Sequence, residues 1–278
     1  MGKTLNAYFF GFGQENLAQL YLYSEFPEEG MECNRYYRIT DFEAIKSIFL
    51  RGKYGQMISP KKNNGERVES KKEEKIYKDN GGAKKKPIKY LIRDLIWFFS
   101  SWNCKRFKKW ARSFCPDVVF YASGDSAFSY RIAKKVAMEL NVPLIVSCMD
   151  DYYFHNNCQN KFLGKIRQKM FLSAVKKTMN YASGIVTLTD NMAKDYSAYF
   201  RKPCISFRRY ELNKSAPSTN RKGIVYLGNV SLGRWRKLIE IGKCLDELNI
   251  NDDLNHIDIY SAIKDNVRIS EFDASPDR

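Results

Sequence analysis

The sequence has 278 residues, and 44% hydrophobic and 14% aromatic residues provide enough apolar surface for a folded core. This composition excludes a chain that is disordered throughout. The formal net charge is +16 at pH 7, but residues 51–112 hold 19 basic and 6 acidic residues, so the rest of the chain is nearly neutral. The charge therefore marks one basic segment and argues against a protein that binds nucleic acid over its whole surface.

Seven cysteines are scattered along the chain, and no two of them form a CxxC pair. A disulfide framework or a zinc site is therefore not expected, and a reducing cytoplasm is the simplest location. The longest stretches without charge have 10 or 11 residues, whereas a membrane-spanning helix needs about 20. We accordingly expect a cytoplasmic protein without a membrane span, a metal ion or a cofactor.

The hydrophobic pattern alternates between predicted strands and predicted helices. An aromatic-rich run at residues 6–12 predicts the first strand, and a helix is expected to begin at about Asn16. Residues 35–40 predict a second strand and residues 42–50 a short helix. Residues 51–86 have almost no apolar periodicity, so we expect them to form a mobile basic insertion.

Regular structure is expected to resume after this insertion. Apolar residues recur at helical spacing between residues 88 and 114. Four apolar strands then alternate with helices of 12 to 20 residues, and these strands lie at residues 117–123, 143–150, 184–190 and 204–208. This alternation is typical of a parallel sheet with helices on both faces, so residues 1–210 predict a Rossmann-like α/β domain.

A polar linker is predicted at residues 211–222, where the apolar pattern stops. The pattern then restarts with a strand at 223–229, a helix at 235–248 and a strand at 256–261. Two strands and one helix cannot cover both faces of a parallel sheet. Residues 223–278 therefore predict the beginning of a second Rossmann-like domain.

Ligands of open α/β sheets bind beyond the carboxyl ends of the strands. The predicted first strand is followed by four candidate residues for an acceptor or anion loop, namely Gly11, Gly13, Gln14 and Asn16. Two glycines let a backbone approach a ligand closely, and the N-terminus of a following helix would favour an anion. The G-x-G spacing is a weak motif, and a tight structural turn is an equally good interpretation.

The predicted strand at 143–150 leads into the sequence MDDYYFHNN. Asp150, Asp151 and His155 form a candidate catalytic cluster there. These side chains could orient a sugar hydroxyl, accept a proton or bind a divalent ion. Helix capping by Asp151 or Asn157 would explain one of the acids but not the whole cluster.

The loop after the predicted strand at 223–229 reads NVSLGRWRK. Its candidate diphosphate-binding residues are Gly228, Asn229, Ser231, Arg234 and Lys237. Cations in the first turn of a helix oppose the helix dipole, but they suit a phosphate that is bound beside the free N–H groups. The alternative is that one or two of these side chains simply point to solvent.

Residues 84–112 interleave ten cations with Ile, Leu, Phe and Trp. Three interpretations are open: a helix that lies on an anionic membrane surface, binding of nucleic acid by charge and stacking, or a core stripe with a solvated basic face. We expect most of the aromatic residues to be core. The anionic membrane surface is the favoured functional addition, which would place the protein peripherally on the inner membrane face, and no nucleic acid partner is expected.

The stretch from Pro116 to Tyr260 resembles bacterial glycosyltransferases of the GT-B fold, in the group often called family 4 or family 1 and common in gene clusters for capsule, exopolysaccharide and O-antigen. The resemblance is carried by PDVVFYASGDSAFSYRIAKKVAMELNVPLIVSCMDD, YASGIVTLTDNMAKDYSAYFRKPCISFRRY and GIVYLGNVSLGRWRKLIEIGKCL. It implies an acceptor-binding and a nucleotide-sugar-binding Rossmann-like domain. It further implies transfer of a sugar from a nucleoside diphosphate to a carbohydrate or lipid-linked acceptor.

The sequence departs from this family at the donor side. The family's turn usually holds an arginine and then a lysine that clasp the diphosphate, whereas here Asn229 stands at the arginine position and Arg234 at the lysine position. Asp150 or Asp151 falls near a position where relatives place an Asp or His close to the reacting sugar. The family's paired glutamates would be expected beyond Arg278, and the same spacing at Glu66 and Glu74 lies in the polar insertion. Two expectations follow: a glycosyltransferase, or a truncated, non-catalytic protein that binds carbohydrate or membrane.

Overall fold

The computed structural model describes residues 3–24, 26–27, 30–50, 52, 54–60, 87–154, 162–207, 224–230, 234–247 and 257–261. These residues belong to two compact units, the first including those up to residue 207 and the second those from residue 224 onwards. Residues 61–86 of the predicted basic insertion and the predicted linker at 211–222 lie outside the described residues, as do His155 and Ser231. The domain boundaries therefore stay predictions.

The first unit contains two sheets surrounded by helices. Its elements in chain order are α1 (Lys3–Tyr8), β1 (Ala18–Tyr21), β2 (Arg35–Arg38), α2 (Asp41–Phe49), β3 (Gln56–Ile58), α3 (Pro87–Phe99), α4 (Lys105–Phe114), β4 (Val119–Ala122), α5 (Ala127–Leu140), β5 (Leu144–Cys148), α6 (Phe162–Tyr181), β6 (Gly184–Thr187), α7 (Asp190–Phe200) and β7 (Cys204–Ser206). None of the helices in the described part of the chain combines the length and the hydropathy that a membrane span requires.

The first sheet has the strand order β1-β2-β3, with β1 parallel and β3 antiparallel to β2. The neighbouring residues Tyr36 and Tyr37 of β2 are both buried, because successive side chains of a strand point to opposite faces. Tyr36 packs near Leu5 of α1 and near Phe9, which directly follows this helix, whereas Tyr37 packs with the buried residues of α2, α3 and α4. The sheet is therefore covered by helices on both sides.

The strand predicted at residues 6–12 is wrong, because helix α1 occupies the first half of this run and β1 begins only at Ala18. Tyr8 and Phe9 both contact the ring of Phe120, at centroid distances of 6.5 and 5.0 Å. Adjacent side chains of a strand would point to opposite faces, whereas on a helix they are only about 100° apart and can reach the same neighbour. Packing against Phe120 thus favours the helix.

The predicted insertion at 51–86 also contains regular structure that the sequence pattern did not indicate. Residues 56–58 form β3 and pair with β2 in the register Tyr37↔Met57. Three residues are too few to show an alternating pattern. Pairing with the buried strand β2 therefore determines that residues 56–58 form a strand.

The second sheet has four parallel strands in the order β4-β5-β6-β7. This confirms the predicted Rossmann-like α/β class, a parallel sheet flanked by helices. Tyr121, Val146 and Ile185 lie side by side in register on one face, and helices α5, α6 and α7 pack against that face. Phe120 lies on the opposite face, where Tyr8 of α1 contacts it. Helices α3 and α4 pack on the other side of α5, around Phe128 and Ile132.

The second unit contains β8 (Ile224–Leu227), α8 (Arg234–Glu247) and β9 (Ile257–Tyr260). The two strands are parallel over their whole length, in the register Ile224↔Ile257 to Leu227↔Tyr260. A parallel pair that is joined through a helix is the unit from which Rossmann-like domains are built. The strand, helix and strand predicted after residue 222 are therefore present.

Candidate functional site

The loop after β5 carries Asp150 and Asp151, and the two carboxylates have different partners. The Asp150 side chain is exposed, and Tyr152 Oη donates to its Oδ2 at 2.8 Å. Asp151 Oδ1 accepts hydrogen bonds from Tyr196 Oη and from the backbone N–H of Phe154, each at 3.0 Å. Asp151 therefore fixes the loop to α7, whereas Asp150 presents its carboxylate beyond the carboxyl end of the strand.

The two tyrosines that donate to these aspartates retain their protons at neutral pH. Burial raises the pKa of Tyr152 and of Tyr196 above the ordinary value of 10, and the neighbouring carboxylates of Asp150 and Asp151 raise it further. Loss of either proton would place two negative charges in contact. The hydroxyls thus act as hydrogen-bond donors that orient the carboxylates.

Aromatic packing holds the same loop against α7. Tyr153 stacks at tilted angles on Tyr199 and Phe200, at centroid distances of 5.3 and 5.1 Å. Phe154 makes edge contacts with Tyr196 at 5.2 Å and with Tyr199 at 5.4 Å. Such contacts fix ring orientation as well as burying apolar area. They keep the position of Asp150 at the end of β5 well defined.

Replacing Tyr196 by phenylalanine removes the hydroxyl that donates to Asp151. We expect the free energy of unfolding to fall by about 2 kcal/mol, because a buried hydrogen bond to a charged group is lost. Urea unfolding followed by circular dichroism measures this change. Tyr199→Phe is the matched control: Tyr199 is 49% exposed, and we expect a loss of about 0.5 kcal/mol or less. Equal losses in the two variants would contradict the anchoring role of Asp151.

A third carboxylate, that of Asp94, was not among the predicted residues. It lies near the carboxyl end of β4, the strand next to β5. Asp94 of α3 is almost completely buried, and its Oδ1 accepts the backbone N–H of Phe128 at 2.9 Å in the first turn of α5. Burial raises the pKa of Asp94, and the nearby guanidinium groups of Arg167, Arg131 and Arg93 counteract this effect. Asp94 thus joins α3 to the N-terminus of α5.

The position of Asp94 does leave a signal in the sequence. It is the one acidic residue between residues 87 and 114, and it is three residues from Leu91 and from Trp97. That spacing places all three on the same helix face. An acidic residue on a buried helix face indicates a specific partner, which here is the N-terminus of α5.

Arg167 of α6 ties the same region to the loop after β4. Its Nη2 donates to the backbone carbonyl of Asp125 at 2.5 Å and lies 3.9 Å from Asp125 Oδ2. Its guanidinium also lies over the ring of Tyr90, 4.6 Å from the centroid. Arg167 therefore fixes the loop after β4 to α6.

The predicted acceptor or anion loop makes hydrogen bonds within the first unit. Its residues are Gly11 and Gly13, each with a φ of +82°, and Gln14 and Asn16, which bound a single turn of 3-10 helix. Gln14 Nε2 donates to the carbonyl of Met31 at 3.3 Å, its Oε1 accepts from Asn34, and Asn16 Nδ2 donates to the carbonyl of Phe12 at 2.8 Å. Because the loop precedes β1 rather than following a strand, its placement at a carboxyl strand end is wrong. A role of these residues in binding an acceptor or anion stays a prediction.

The loop after β8 brings together part of the predicted diphosphate site. Arg234 Nη1 donates to the backbone carbonyl of Asn229 at 3.5 Å, and Tyr226 Oη donates to the same carbonyl at 3.0 Å, passing close to Gly228. Lys237 instead forms an ion pair with Glu240 of its own helix at 2.6 Å. Of the two predicted cations, Arg234 is the one that contacts the loop.

Metal chemistry finds no support in the described part of the chain. No group of three or more His, Cys, Asp or Glu side chains is placed there to hold a metal ion. His155, which the sequence analysis grouped with Asp150 and Asp151, lies outside that part.

The sequence matches no family model and no curated protein. Functional conclusions about this chain therefore depend on its fold and on the side chains at the strand ends.

Proposed function

We propose that the protein is a glycosyltransferase of the GT-B type, which transfers a sugar from a nucleoside-diphosphate sugar to a carbohydrate or lipid-linked acceptor in the cytoplasm, as a step of cell-surface polysaccharide synthesis. The observation that carries the proposal is the contact of Arg234 with the Asn229 carbonyl, in the loop of a Rossmann-like strand–helix–strand unit. The proposal assigns the donor to the second unit and the acceptor to the first.

A diphosphate fits the β8–α8 loop for electrostatic reasons. Helix α8 has 14 residues and begins at Arg234, so its first N–H groups and one guanidinium lie at the same end. A cation at this end opposes the helix dipole, and a bound anion would turn that repulsion into attraction. Arg236 lies over the ring of Trp235, 5.0 Å from its centroid, so its guanidinium has a different partner.

Sugar transfer requires stabilisation of the leaving group and removal of a proton. When the bond between the anomeric carbon and the diphosphate oxygen breaks, negative charge develops on the diphosphate, and Arg234 would stabilise it. The acceptor hydroxyl loses its proton as it attacks, and the exposed carboxylate of Asp150 is suited to accept that proton. Tyr152 would hold the Asp150 carboxylate in position for this role.

A carbohydrate-binding or membrane-binding protein without catalysis is the second candidate. The engagement of Asp151 by Tyr196 and by the Phe154 N–H favours it, because one of the two predicted catalytic acids already serves the loop. Saturable binding of a nucleoside diphosphate supports the glycosyltransferase. Binding of oligosaccharide without binding of a nucleoside diphosphate supports the second candidate.

Replacing Arg234 by alanine is expected to weaken the binding of UDP or GDP by about 30-fold, because a hydrogen bond between a cation and a phosphate is lost. Isothermal titration calorimetry of the full chain with each nucleotide measures the affinity. Lys243→Ala removes a cation from the exposed surface of the same helix, more than two turns away, and should leave the affinity unchanged. Absence of saturable binding to the unaltered chain, or equal affinity in Arg234→Ala, would refute the phosphate role.

A further inference from the structure

Asp94 and two arginines that face it each bury a polar atom that has no hydrogen-bond partner in the described part of the chain. These atoms are Asp94 Oδ2, Arg131 Nη1 and Arg167 Nε. Asp94 is 1% exposed, and the Phe128 N–H uses only its other oxygen. Leaving buried polar atoms unpaired is costly, so such atoms in a native protein indicate a bound molecule that satisfies them. We call Asp94, Arg131 and Arg167 the Asp94 cluster.

The charges around this cluster are already balanced. Three guanidinium groups act on the Asp94 carboxylate, those of Arg167, Arg131 and Arg93. Two further carboxylates neutralise part of this charge, since Asp41 lies 3.0 Å from Arg93 and Asp125 lies 3.9 Å from Arg167. Three cations thus face three carboxylates. A bound ion would add an uncompensated charge to a buried region, so the balance favours an uncharged ligand.

The three unpaired atoms also define which uncharged group fits them. Arg131 Nη1 and Arg167 Nε can only donate, whereas the ionised Asp94 Oδ2 can only accept. A hydroxyl has one proton to donate and two lone pairs to accept with, so a single hydroxyl satisfies all three atoms. A carboxylate would leave Asp94 Oδ2 unpaired and repel it, and an ammonium would leave both arginines unpaired. The cluster is therefore complementary to a hydroxyl.

The Asp94 cluster lies at the edge of the sheet that also presents Asp150. Arg167 binds the Asp125 carbonyl in the loop after β4. Burial, Asp150 and Asp125 raise the pKa of Tyr152, so Asp125 lies near the tyrosine that donates to Asp150. The loop also leaves open space, because a Cβ added at Gly124 would meet no atom within 4 Å. Molecules that reach Asp150 can therefore also approach the Asp94 cluster.

We propose that the Asp94 cluster is a sugar subsite that recognises one uncharged hydroxyl, which donates to Asp94 Oδ2 and accepts from Arg131 Nη1 and Arg167 Nε. The choice of a carbohydrate as the hydroxyl-bearing ligand rests on the proposed function, which the subsite deepens. The subsite makes the acceptor specific at one position. A sugar that lacks this hydroxyl, or carries an amino group in its place, leaves buried charged groups unpaired and is rejected.

Titration of the full chain with methyl glycosides, followed by saturation-transfer NMR, tests the proposal. The probes are the methyl α-glycosides of glucose, galactose and mannose. We expect saturable binding of at least one of them. Among its monodeoxy analogues, one should bind at least about tenfold more weakly, because it lacks the hydroxyl that the cluster recognises. The analogue with an amino group at that same position should bind as weakly as the deoxy analogue.

Two substitutions assign this hydroxyl to the cluster. Asp94→Asn replaces the acceptor Oδ2 by a donor but retains an acceptor for the Phe128 N–H. Arg131→Met removes the Nη1 donor and retains an unbranched stem over the Phe98 ring. Each variant should bind the glycoside at least about tenfold more weakly than the unaltered chain does. The deoxy analogue should bind each variant and the unaltered chain about equally, because the lost hydrogen bonds are shared.

Lys135→Met is the matched control. Lys135 is a cation of the same helix, one turn further from its N-terminus than Arg131, and lies over the Trp102 ring. This variant should bind the glycoside as the unaltered chain does. Circular dichroism should show the same folded signal for all three variants. This comparison separates loss of the subsite from loss of a cation on α5.

Three results would overturn the proposal. These are a lack of saturable binding of all three glycosides, unchanged affinity in both Asp94→Asn and Arg131→Met, and an equal loss on removing the hydroxyl in the unaltered chain and in these variants. Each of them would assign the three buried atoms to an internal water.

The affinity for UDP and GDP distinguishes failure of the subsite from failure of the proposed function. Binding of nucleotide without binding of glycoside refutes the subsite and leaves the donor site standing. Binding of glycoside at the Asp94 cluster without binding of nucleotide refutes the glycosyltransferase. That result retains the subsite as part of a carbohydrate-binding protein.

Discussion

Replacing Trp97 by alanine is expected to lower the free energy of unfolding by about 4 kcal/mol. Trp97 is only 2% exposed, and its ring stacks on Phe128 of α5 at a centroid distance of 5.0 Å and an angle of 13°. Its indole N–H also donates to Asp41 Oδ1 at 2.6 Å. The substitution thus leaves a cavity between α2, α3 and α5 and removes a buried hydrogen bond. Urea unfolding of the full chain, followed by circular dichroism, gives the change.

The neighbouring aromatic residue Phe99 provides the control for this prediction. It is 63% exposed, so Phe99→Ala should cost about 0.5 kcal/mol or less. Trp97→Phe retains most of the ring but loses the N–H, and we expect an intermediate loss of about 2 kcal/mol. A loss in Trp97→Ala no larger than that in Phe99→Ala would show that α3 does not pack on α5 through this ring.

Replacing Asp94 by alanine is expected to cost about 3 kcal/mol of stability at neutral pH, because the Phe128 N–H loses its acceptor and three arginines lose a buried counter-charge. Asp94→Asn retains an acceptor oxygen and should cost about 1 kcal/mol. Asp125→Asn is the control, since the Asp125 carboxylate also lies near Arg167 but is much more exposed. We expect about 0.5 kcal/mol or less for that surface pair.

The stability difference between the unaltered chain and Asp94→Asn should depend on pH. Burial raises the pKa of Asp94 in the folded protein above the ordinary carboxyl value of about 4. The folded state then binds this proton more tightly than the unfolded state, so the unaltered chain loses stability relative to Asp94→Asn as the pH rises above about 4. Urea unfolding at several pH values measures the trend. A relative gain in stability with rising pH would contradict the burial of this carboxyl.

These two residues connect the layers of the first unit. Trp97 and Asp94 both reach from α3 to the start of α5, which is the helix that follows β4. Because the loop between β4 and α5 lies at the carboxyl end of the sheet, the α3 contacts support the same edge that presents Asp150. A destabilised α3 would therefore disturb this edge of the sheet.

The part of the fold after Pro116 could be predicted from the sequence because each strand carries its own signal. Strands β5 and β6 consist mostly of buried residues and read as continuous apolar runs between longer helices. The signal that determines helix α2 is also local, because Thr40 and Glu43 form a reciprocal capping box at its start. Such elements are determined within a few residues, and their parallel order follows from the connecting helices.

The N-terminal elements could not be predicted in this way. The aromatic run before Gly11 fits a strand or a helix about equally by composition, and contact with Phe120, more than a hundred residues later, decides for the helix. The same limit applies to the candidate site. The sequence placed Asp150 and Asp151 together, but the hydrogen bond from Tyr196 separates their roles.

The sequence by itself determined the Rossmann-like α/β class, the second strand–helix–strand unit and the position of the basic segment, because apolar periodicity and charge are local properties of the chain. Only the tertiary structure decided that α1 is a helix, that Asp94 accepts a backbone N–H in the first turn of α5, and that Arg234 rather than Lys237 contacts the β8–α8 loop. It also decided which side chains of α3 are buried, namely Leu91, Asp94 and Trp97. Periodicity shows that a helix has an apolar stripe, but which side the rest of the protein covers depends on long-range packing.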